Sequence, residues 1–550
     1  MKDNNLQTLK HSPEFLTNKN ADTPTNRILS SLFTKTRLKM FLQFGIAYVN
    51  EKNDKGELNL EKHIMRYPQF FASKAISKFL SEGKKKGIIW HTQGSGKTAL
   101  AFYNIRYLTN YFSQKGIAPK YYFIVDRLDL LNQANDEFTK RGMKVNIIDN
   151  QGDLKKDFKQ NTDNGKITVI NIQKFKEDTT AFDNSGYDIN LQRIYFIDEA
   201  HRSYDPKGSS LANLYNSDKN SIKIALTGTP LILYDKHEKS DDGDENFSKK
   251  IDSKTTKDIF GDYIHKYYYN NSIRDGYTLK LLREEIETSY KEKARKIVRD
   301  IEKELQVKLG TLNKNELYAH EKFAEPMLNY ILDDFKKARI RDKTIGAMVV
   351  CDSSEQARKM FELFNKSETE MSAALILYNE NDKEIRKDQI KAFKKGNIDI
   401  LFVYSMLLTG FDVPRLKKLY LGRKIKAHNL LQTLTRVNRP YREFRFGYVV
   451  DFADISEEFE KTNRAYIEEL NREYDIENDI FDSLFMSRDE IDGKMQNAKL
   501  ILSDFSTDNL ELFSKQISDI TDREKILNLK NTLENILLVD KKASIIYDIL

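Results

Sequence analysis

From Glu61 onward, short apolar runs rich in β-branched and aromatic residues alternate with longer stretches whose apolar positions recur at helical spacing. The first set of runs is Lys86–Trp90, Tyr121–Val125, Val145–Ile148, Ile167–Ile170, Ile194–Ile197 and Ile222–Leu226; the second is Ile345–Val350, Ala374–Leu377, Ile400–Val403, Lys418–Leu421 and Tyr448–Val450. Strands that are apolar throughout are buried on both faces, and runs separated by helical segments predict parallel sheets with helices on either side. Leu279–Lys337 reads as long, charged helix, as in EEIETSYKEKARKIVRDIEKEL. The pattern therefore predicts an α/β fold of two units. Residues 1–60 form a helical lead-in, amphipathic from Ile28 to Tyr48. Residues 61–278 form the first unit, 279–340 a helical connection, 341–455 the second unit and 456–550 an acidic, all-helical remainder. Asp235–Thr256 interrupts the first unit with charge and serine and reads as a surface loop.

One loop changes this picture from architecture to chemistry. Lys86–Trp90 turns polar into apolar just before Thr92, Gln93, Gly94, Ser95, Gly96, Lys97 and Thr98, and Ala99–Tyr107 then favours helix, giving strand, glycine loop and helix in that order. Glycines let successive N–H groups curl around a phosphate, and the helix beginning near Lys97 adds the positive end of its dipole. Lys97 would reach the β- and γ-phosphates of ATP and Thr98 would hold Mg²⁺. The first position of the long phosphate-loop pattern falls on His91 rather than glycine, so the match is to GSGKT alone.

Length and charge bound the rest. The 550 residues exceed what one core usually serves, no apolar run approaches the ~18 residues a membrane span needs, and Cys351 is the single cysteine. These features predict a cytoplasmic chain without disulfides or a membrane partner. Residues 456–550 carry 12 Lys+Arg against 22 Asp+Glu, a net −10, which leaves +17 on residues 1–455. The basic body predicts a polyanionic partner, and the acidic remainder predicts packing or protein docking.

Two more strand ends carry candidate chemistry. Arg193–His201 (RIYFIDEAH) is a buried strand delivering Asp198 and Glu199 at its carboxyl end, where open parallel sheets bind ligands. Asp198 would hold Mg²⁺ and Glu199 would take the proton of the attacking water. Ala225–Pro230 (ALTGTP) ends a further strand in a turn.

With Leu407–Pro414 (LLTGFDVP) and Leu431–Pro440 (LQTLTRVNRP), the chain resembles superfamily 2 helicases, and within them the motor (R) subunit of type I restriction enzymes. HTQGSGKT, YFIVDRLDLLNQ, INIQKF, IDEAHRS, ALTGTP, FGDYIHKYY and HNLLQTLTRVNRP carry that resemblance across residues 60–455. It implies two RecA-like lobes and a DEAH-type, ATP-driven translocase on double-stranded DNA, joined to methyltransferase and specificity subunits. By the same resemblance, Arg436 and Arg439 act as arginine fingers on the γ-phosphate. Gln69, in RYPQ, meets the adenine edge, and Gly410 and Asp412 touch the nucleotide. Arg127, His201, Thr227, Thr229 and Gln432 contact DNA or couple the nucleotide site to it.

The sequence departs from the family at Asn171, where threonine is usual, and at Thr435, where glycine is common. The family also carries a nuclease domain ahead of the motor, whereas about 60 residues precede Glu61 here, and Glu82-Gly83-Lys84 lies outside the context a nuclease motif needs. Nuclease activity is therefore not expected from this chain alone. A free-standing RNA or DNA helicase is the alternative reading.

Overall fold

The computed structural model describes residues 34–536 apart from 53–57, 149, 160–165, 176–189, 201–212, 215–217, 233–254, 287, 305–313, 341, 379–381, 472–483 and 507–508. His201 and nearly all of the charged stretch 235–256 lie outside the described residues. The chain divides into two units. Unit 1 comprises residues 1–276 and 464–475, and unit 2 comprises 277–463 and 476–550.

In unit 1, β1 (Ile46–Lys52) and β2 (Leu58–Ile64) pair antiparallel, with Tyr48 opposite Lys62. The main sheet follows with β3 (Lys86–His91), β4 (Ala118–Val125), β5 (Lys144–Ile148), β6 (Lys166–Asn171), β7 (Leu191–Asp198), β8 (Ile222–Thr227) and β9 (Tyr263–Tyr267). Its order is β5-β6-β4-β7-β8-β3-β9, and every pairing is parallel. Alternate residues face opposite ways along a strand. Tyr121, Phe123, Ile194, Phe196 and Ile224 accordingly share a core with the helices Tyr67–Ser81, Lys97–Ser113 and Leu128–Lys140. Tyr122, Ile124, Tyr195, Ile197 and Ala225 face the other core, against Leu154, Phe158, Phe175 and Phe260.

Buried tyrosine hydroxyls on that second face are paired with carboxylates. Tyr122 and Tyr195 stack at 4.8 Å, and their hydroxyls donate to Asp157 and Asp218 at 2.8 Å. Lys120 pairs with Asp157 at 3.1 Å. Such a network is costly only when left half-satisfied.

Unit 2 holds a second parallel sheet, with β10 (Lys280–Glu285), β11 (Gly346–Val350), β12 (Ala373–Ile376), β13 (Ile400–Val403), β14 (Leu416–Leu421) and β15 (Phe446–Asp451). The order is β10-β15-β14-β11-β13-β12. Helices Glu321–Ala338 and Ser354–Lys366 bring Met327, Ile331, Phe335, Met360 and Phe364 into its core. The second of these helices starts at Ser353, whose hydroxyl accepts from the Gln356 N–H at 3.1 Å and satisfies one of the first-turn donors. Both expected α/β units are therefore present.

Four details differ from the sequence reading. The lead-in was expected to hold one or two helices; among its described residues Lys35–Phe44 is helix, and Ile46–Lys52, which takes in the end of the amphipathic stretch, is strand. The reason is the alternation that buries Ala47 and Val49 while pairing the segment with β2. Tyr263–Tyr267, which the pattern did not single out, forms the edge strand next to β3. Lys280–Glu285, expected as helix, is the strand beside β15, where a tertiary ladder overrides local helical spacing. Finally, residues 456–550 are divided between the units. The helix Ser456–Asn471 passes from one to the other at Arg464, whereas Phe485 and Glu490 join β10 through the Leu281–Phe485 bridge and the Lys280–Glu490 ion pair at 2.5 Å.

Candidate nucleotide site and arginine motif

Three adjacent strands bring the chemistry of unit 1 to one edge. β8 lies between β3 and β7, with Trp90 opposite Thr227 and Leu226 opposite Asp198. All three run the same way, so the glycine loop, the TGTP turn and the DEAH acids emerge together at their carboxyl ends. Local sequence explains the loop. Gly94 and Gly96 sit at φ 79° and 82°, the left-handed region that glycine enters without a Cβ clash. A Cβ on Gly96 would stand 2.6 Å from Gln69 Nε2. Helix Lys97–Ser113 begins immediately after it, with Lys97 buried.

The loop is held from behind by the RYPQ segment. Arg66 Nη2 donates to the Gly94 carbonyl at 3.0 Å, and Gln69 Nε2 donates to the Gly96 carbonyl at 3.1 Å. Gln69 Oε1 accepts from the Arg66 N–H at 2.9 Å, which caps helix Tyr67–Ser81. The Gln69 side chain thus braces the phosphate loop. Nothing in RYPQ alone announced that Arg66 shares the work.

The two acids differ in setting, Asp198 half-buried and Glu199 buried. Glu199 is buried at φ 46°, an uncommon conformation for a residue with a side chain, and such strain gathers at functional sites. Burial first, and Glu199 beside it second, push the Asp198 carboxyl up to about 7, against the pull of Lys97. Asp198 Oδ1 is buried without a hydrogen-bond partner. A carboxylate oxygen in that position suits a divalent cation. Among the described residues no group of three or more His, Cys, Asp or Glu forms an independent metal site.

The TGTP turn packs directly on the glycine loop. A Cβ on Gly228 would meet Gln93 N at 3.2 Å and His91 O at 3.3 Å, so the glycine permits the close approach. Trp90 Nε1 donates to the Gly228 carbonyl at 3.2 Å, and Thr227 Oγ1 accepts from the Thr229 N–H at 3.1 Å. Thr227 and Thr229 are both buried. His91 Nε2 lies 2.8 Å from His265 Nδ1, and burial with His265 and Lys97 nearby holds His91 well below the usual imidazole range. Arg127 precedes helix Leu128–Lys140 at the end of β4, and Asn171 Oδ1 accepts from the Gln173 N–H at 2.9 Å, closing a turn.

In unit 2 the arginines are engaged within the unit. Arg439 makes a two-pronged pair with Asp412, Nε to Oδ1 and Nη2 to Oδ2, each at 2.9 Å. Arg436 donates to the carbonyls of Gln432, at 2.9 Å, and Phe411. The buried Lys417 donates to the Arg439 carbonyl, and burial with Arg439 nearby pushes its ammonium down to about 7. Gly410 has φ 73°, and Gln432 is buried. A Cβ on Gly447 would collide with the Val437 carbonyl, so β15 lies directly under the arginine motif.

Two families match in the same order as these two site regions. The SWI2/SNF2 ATPase matches residues 68–316, and the type I restriction enzyme subunit R domain 3 matches 352–454. The chain is similar to type I restriction enzyme subunits.

Among the R-subunit relatives is the Staphylococcus aureus (strain MSSA476) type I restriction enzyme SauMSSORF170P endonuclease subunit. It is 27% identical over 452 residues, covering 73% of this chain and 45% of that protein. The Staphylococcus saprophyticus endonuclease subunit SsaAORF53P is 26% identical, with 75% and 47% covered. The chain thus spans about half the length of the curated relatives it matches. The ATP-dependent type ISP restriction-modification enzyme LlaBIII bound to DNA is similar in fold. Its TM-score is 0.50 at 13% identity, covering 90% of this chain and 38% of that one. Among the described residues no helix is long and apolar enough to cross a membrane.

The three motifs expected in unit 1 follow adjacent strands, and the arginine motif lies in unit 2. The motif reading missed Arg66, His265, Lys417 and, most distant in sequence, Tyr466, whose hydroxyl donates to the Pro230 carbonyl at 2.8 Å. For Tyr466 no local signal exists, because an amphipathic helix places aromatic residues inward whatever they touch.

Proposed function

We propose that the chain is the ATP-driven motor of a type I restriction complex, hydrolysing Mg·ATP to move along double-stranded DNA, with site recognition belonging to its methyltransferase and specificity partners. One observation carries the reading: the phosphate loop, the DEAH acids and the TGTP turn emerge side by side from β3, β7 and β8, with a carboxylate oxygen of Asp198 left for a cation. The loop amides and Lys97 bind and neutralise the β- and γ-phosphates. Bound Mg²⁺, held by Thr98 and Asp198, supplies charge neutralisation at the phosphates. Glu199 accepts the proton of the attacking water, and its strained backbone fixes the carboxylate at the strand end.

Arg436 and Arg439 act as arginine fingers on the γ-phosphate, Arg439 exchanging the Asp412 carboxylate for it. Gln69 keeps the loop in shape and reads the adenine edge, and Gly410 with Asp412 lines the nucleotide. Arg127, Thr227, Thr229, Gln432 and His201 are the DNA-contacting or coupling residues, and most DNA contacts go to phosphates because a motor has to pass over any sequence. The net +17 of residues 1–455 supports a polyanionic track. The test measures ATP turnover of the purified chain with duplex DNA, single-stranded DNA or RNA. Duplex DNA is expected to stimulate most, with a steep loss as salt rises. Preferential stimulation by RNA would replace this reading with a free-standing helicase.

A further inference from the structure

Helix Ser456–Asn471 lies beyond the last strand of the second sheet, yet its second half belongs to unit 1. Tyr466 in that half is fully buried. Its ring meets Trp90, the last apolar residue before the glycine loop, edge-on at 5.8 Å, and lies parallel to Tyr268 at 6.2 Å. Its hydroxyl donates to the carbonyl of Pro230, the last residue of TGTP, at 2.8 Å. One turn later Glu469 accepts from the Tyr263 hydroxyl at 3.2 Å and pairs with Lys257 at 3.3 Å. Trp90 in turn holds the Gly228 carbonyl, and Gly228 packs on Gln93 and His91. A continuous chain of contacts therefore runs from a helix late in the sequence to the backbone of the phosphate loop.

We propose that Tyr466 is a positioning residue of the nucleotide site. It clamps the TGTP turn and the Trp90 strand in the register that turnover requires, and so makes segment 464–471 a working part of the ATPase unit. Two observations set it apart from ordinary core packing. The ring and the hydroxyl engage two different motif strands, β3 and the segment following β8, and the hydroxyl goes to a main-chain carbonyl inside a motif turn. A helix shifted by a fraction of its pitch would move both motifs together, and small misplacements of catalytic groups are expensive in rate. Because the same helix begins in unit 2 at Ser456, the covalent chain leads straight from the end of the second sheet to this clamp.

The proposal deepens the motor reading and rests on it only for turnover, so the test has two readouts. Tyr466→Phe keeps the ring and removes the hydroxyl. Tyr122→Phe is the matched control, since it also removes a buried 2.8 Å hydroxyl bond from unit 1, to Asp157 at a distance from the motif turns. The first readout is amide hydrogen exchange of peptides covering residues 222–232, which needs no catalysis. Tyr466→Phe should speed exchange there by about threefold to tenfold, the range one net hydrogen bond supports, while Tyr122→Phe leaves it unchanged. The second readout is ATP hydrolysis, where Tyr466→Phe should lower kcat about tenfold with KM within about twofold. Chain whose parent does not hydrolyse ATP under any nucleic acid would sink the motor reading, and the exchange result would still judge the clamp. Equal exchange and equal kcat in the two variants, or a change confined to KM, would reduce Tyr466 to packing.

Discussion

The two parallel sheets treat their charges in opposite ways. In unit 1 one acid is left with an unsatisfied oxygen: Asp198 Oδ1 is buried without a partner and burial lifts its carboxyl to about 7, while Glu199 beside it is held at φ 46°. In unit 2 Arg439 is provided for, whereas burial pushes the neighbouring Lys417 ammonium down to about 7. Arg439 is gripped by both oxygens of Asp412, Arg436 by two carbonyls, and Lys417 braces the Arg439 backbone. The difference teaches which half asks for a ligand and which half has to release something first. A buried carboxylate with one oxygen unpaired is costly until a cation arrives, whereas a two-pronged arginine pair is a stable resting state.

The predictions probe that contrast, beginning with its acidic half. Lys97→Ala should abolish ATP hydrolysis, and Glu199→Gln should leave ATP bound but unhydrolysed, each by a factor of about 10³ or more in kcat. Equilibrium binding of a fluorescent ATP analogue beside a phosphate-release assay separates the two, and parental turnover in Glu199→Gln would remove Glu199 from the base role.

Next in size is the cationic half. Arg439→Ala should lower kcat by about 10²- to 10³-fold with little change in KM, because the finger acts in the transition state. Asp412→Asn removes the charge of the resting partner and should cost far less than Arg439→Ala in kcat. If the two substitutions were equally damaging, the Arg439–Asp412 pair would be a fixed structural bond instead of a resting state.

A smaller effect is expected at Gly96. Alanine there faces both φ 82° and a Cβ 2.6 Å from Gln69 Nε2, which together cost about 1–3 kcal/mol locally. ATP affinity should fall about tenfold or more in titrations. Gly83, also at positive φ (77°) but with open space around it, should tolerate alanine with an effect on stability alone.

The smallest effect concerns pH. Asp198 binds a cation only when ionised, and a carboxyl raised to about 7 is increasingly protonated below that pH. The profile of kcat/KM, which reports the free protein, should therefore fall on the acid side of about 7, with the apparent value belonging to the Asp198–Glu199 pair. An acid limb at the ordinary carboxylate range near ~4 would contradict the buried, unmatched carboxylate.

Much of this was legible in the chain. Apolar runs such as Ile194–Ile197 and Ile400–Val403 are strands because both faces are buried, and that burial writes itself into composition. GSGKT, DEAH and TGTP were readable because backbone curvature demands glycine and strand ends demand acids. What stayed hidden depends on distant partners. Lys280–Glu285 carries the spacing of a helix and becomes a strand only because β15 offers it a ladder. Lys417 looks like one lysine among many until burial and the Arg439 carbonyl give it a place. Tyr466 stands 236 residues from Pro230, the carbonyl it holds, so no window along the sequence contains both.

The central claim is that nucleotide chemistry in unit 1 drives movement along duplex DNA. The most direct measurement places a triplex-forming strand at increasing distances along linear duplex and follows its displacement by the purified chain with Mg·ATP. The account predicts a lag before displacement that grows in proportion to distance and vanishes, along with displacement itself, in Glu199→Gln. Duplex-stimulated ATP hydrolysis that leaves the third strand in place at every distance would contradict it.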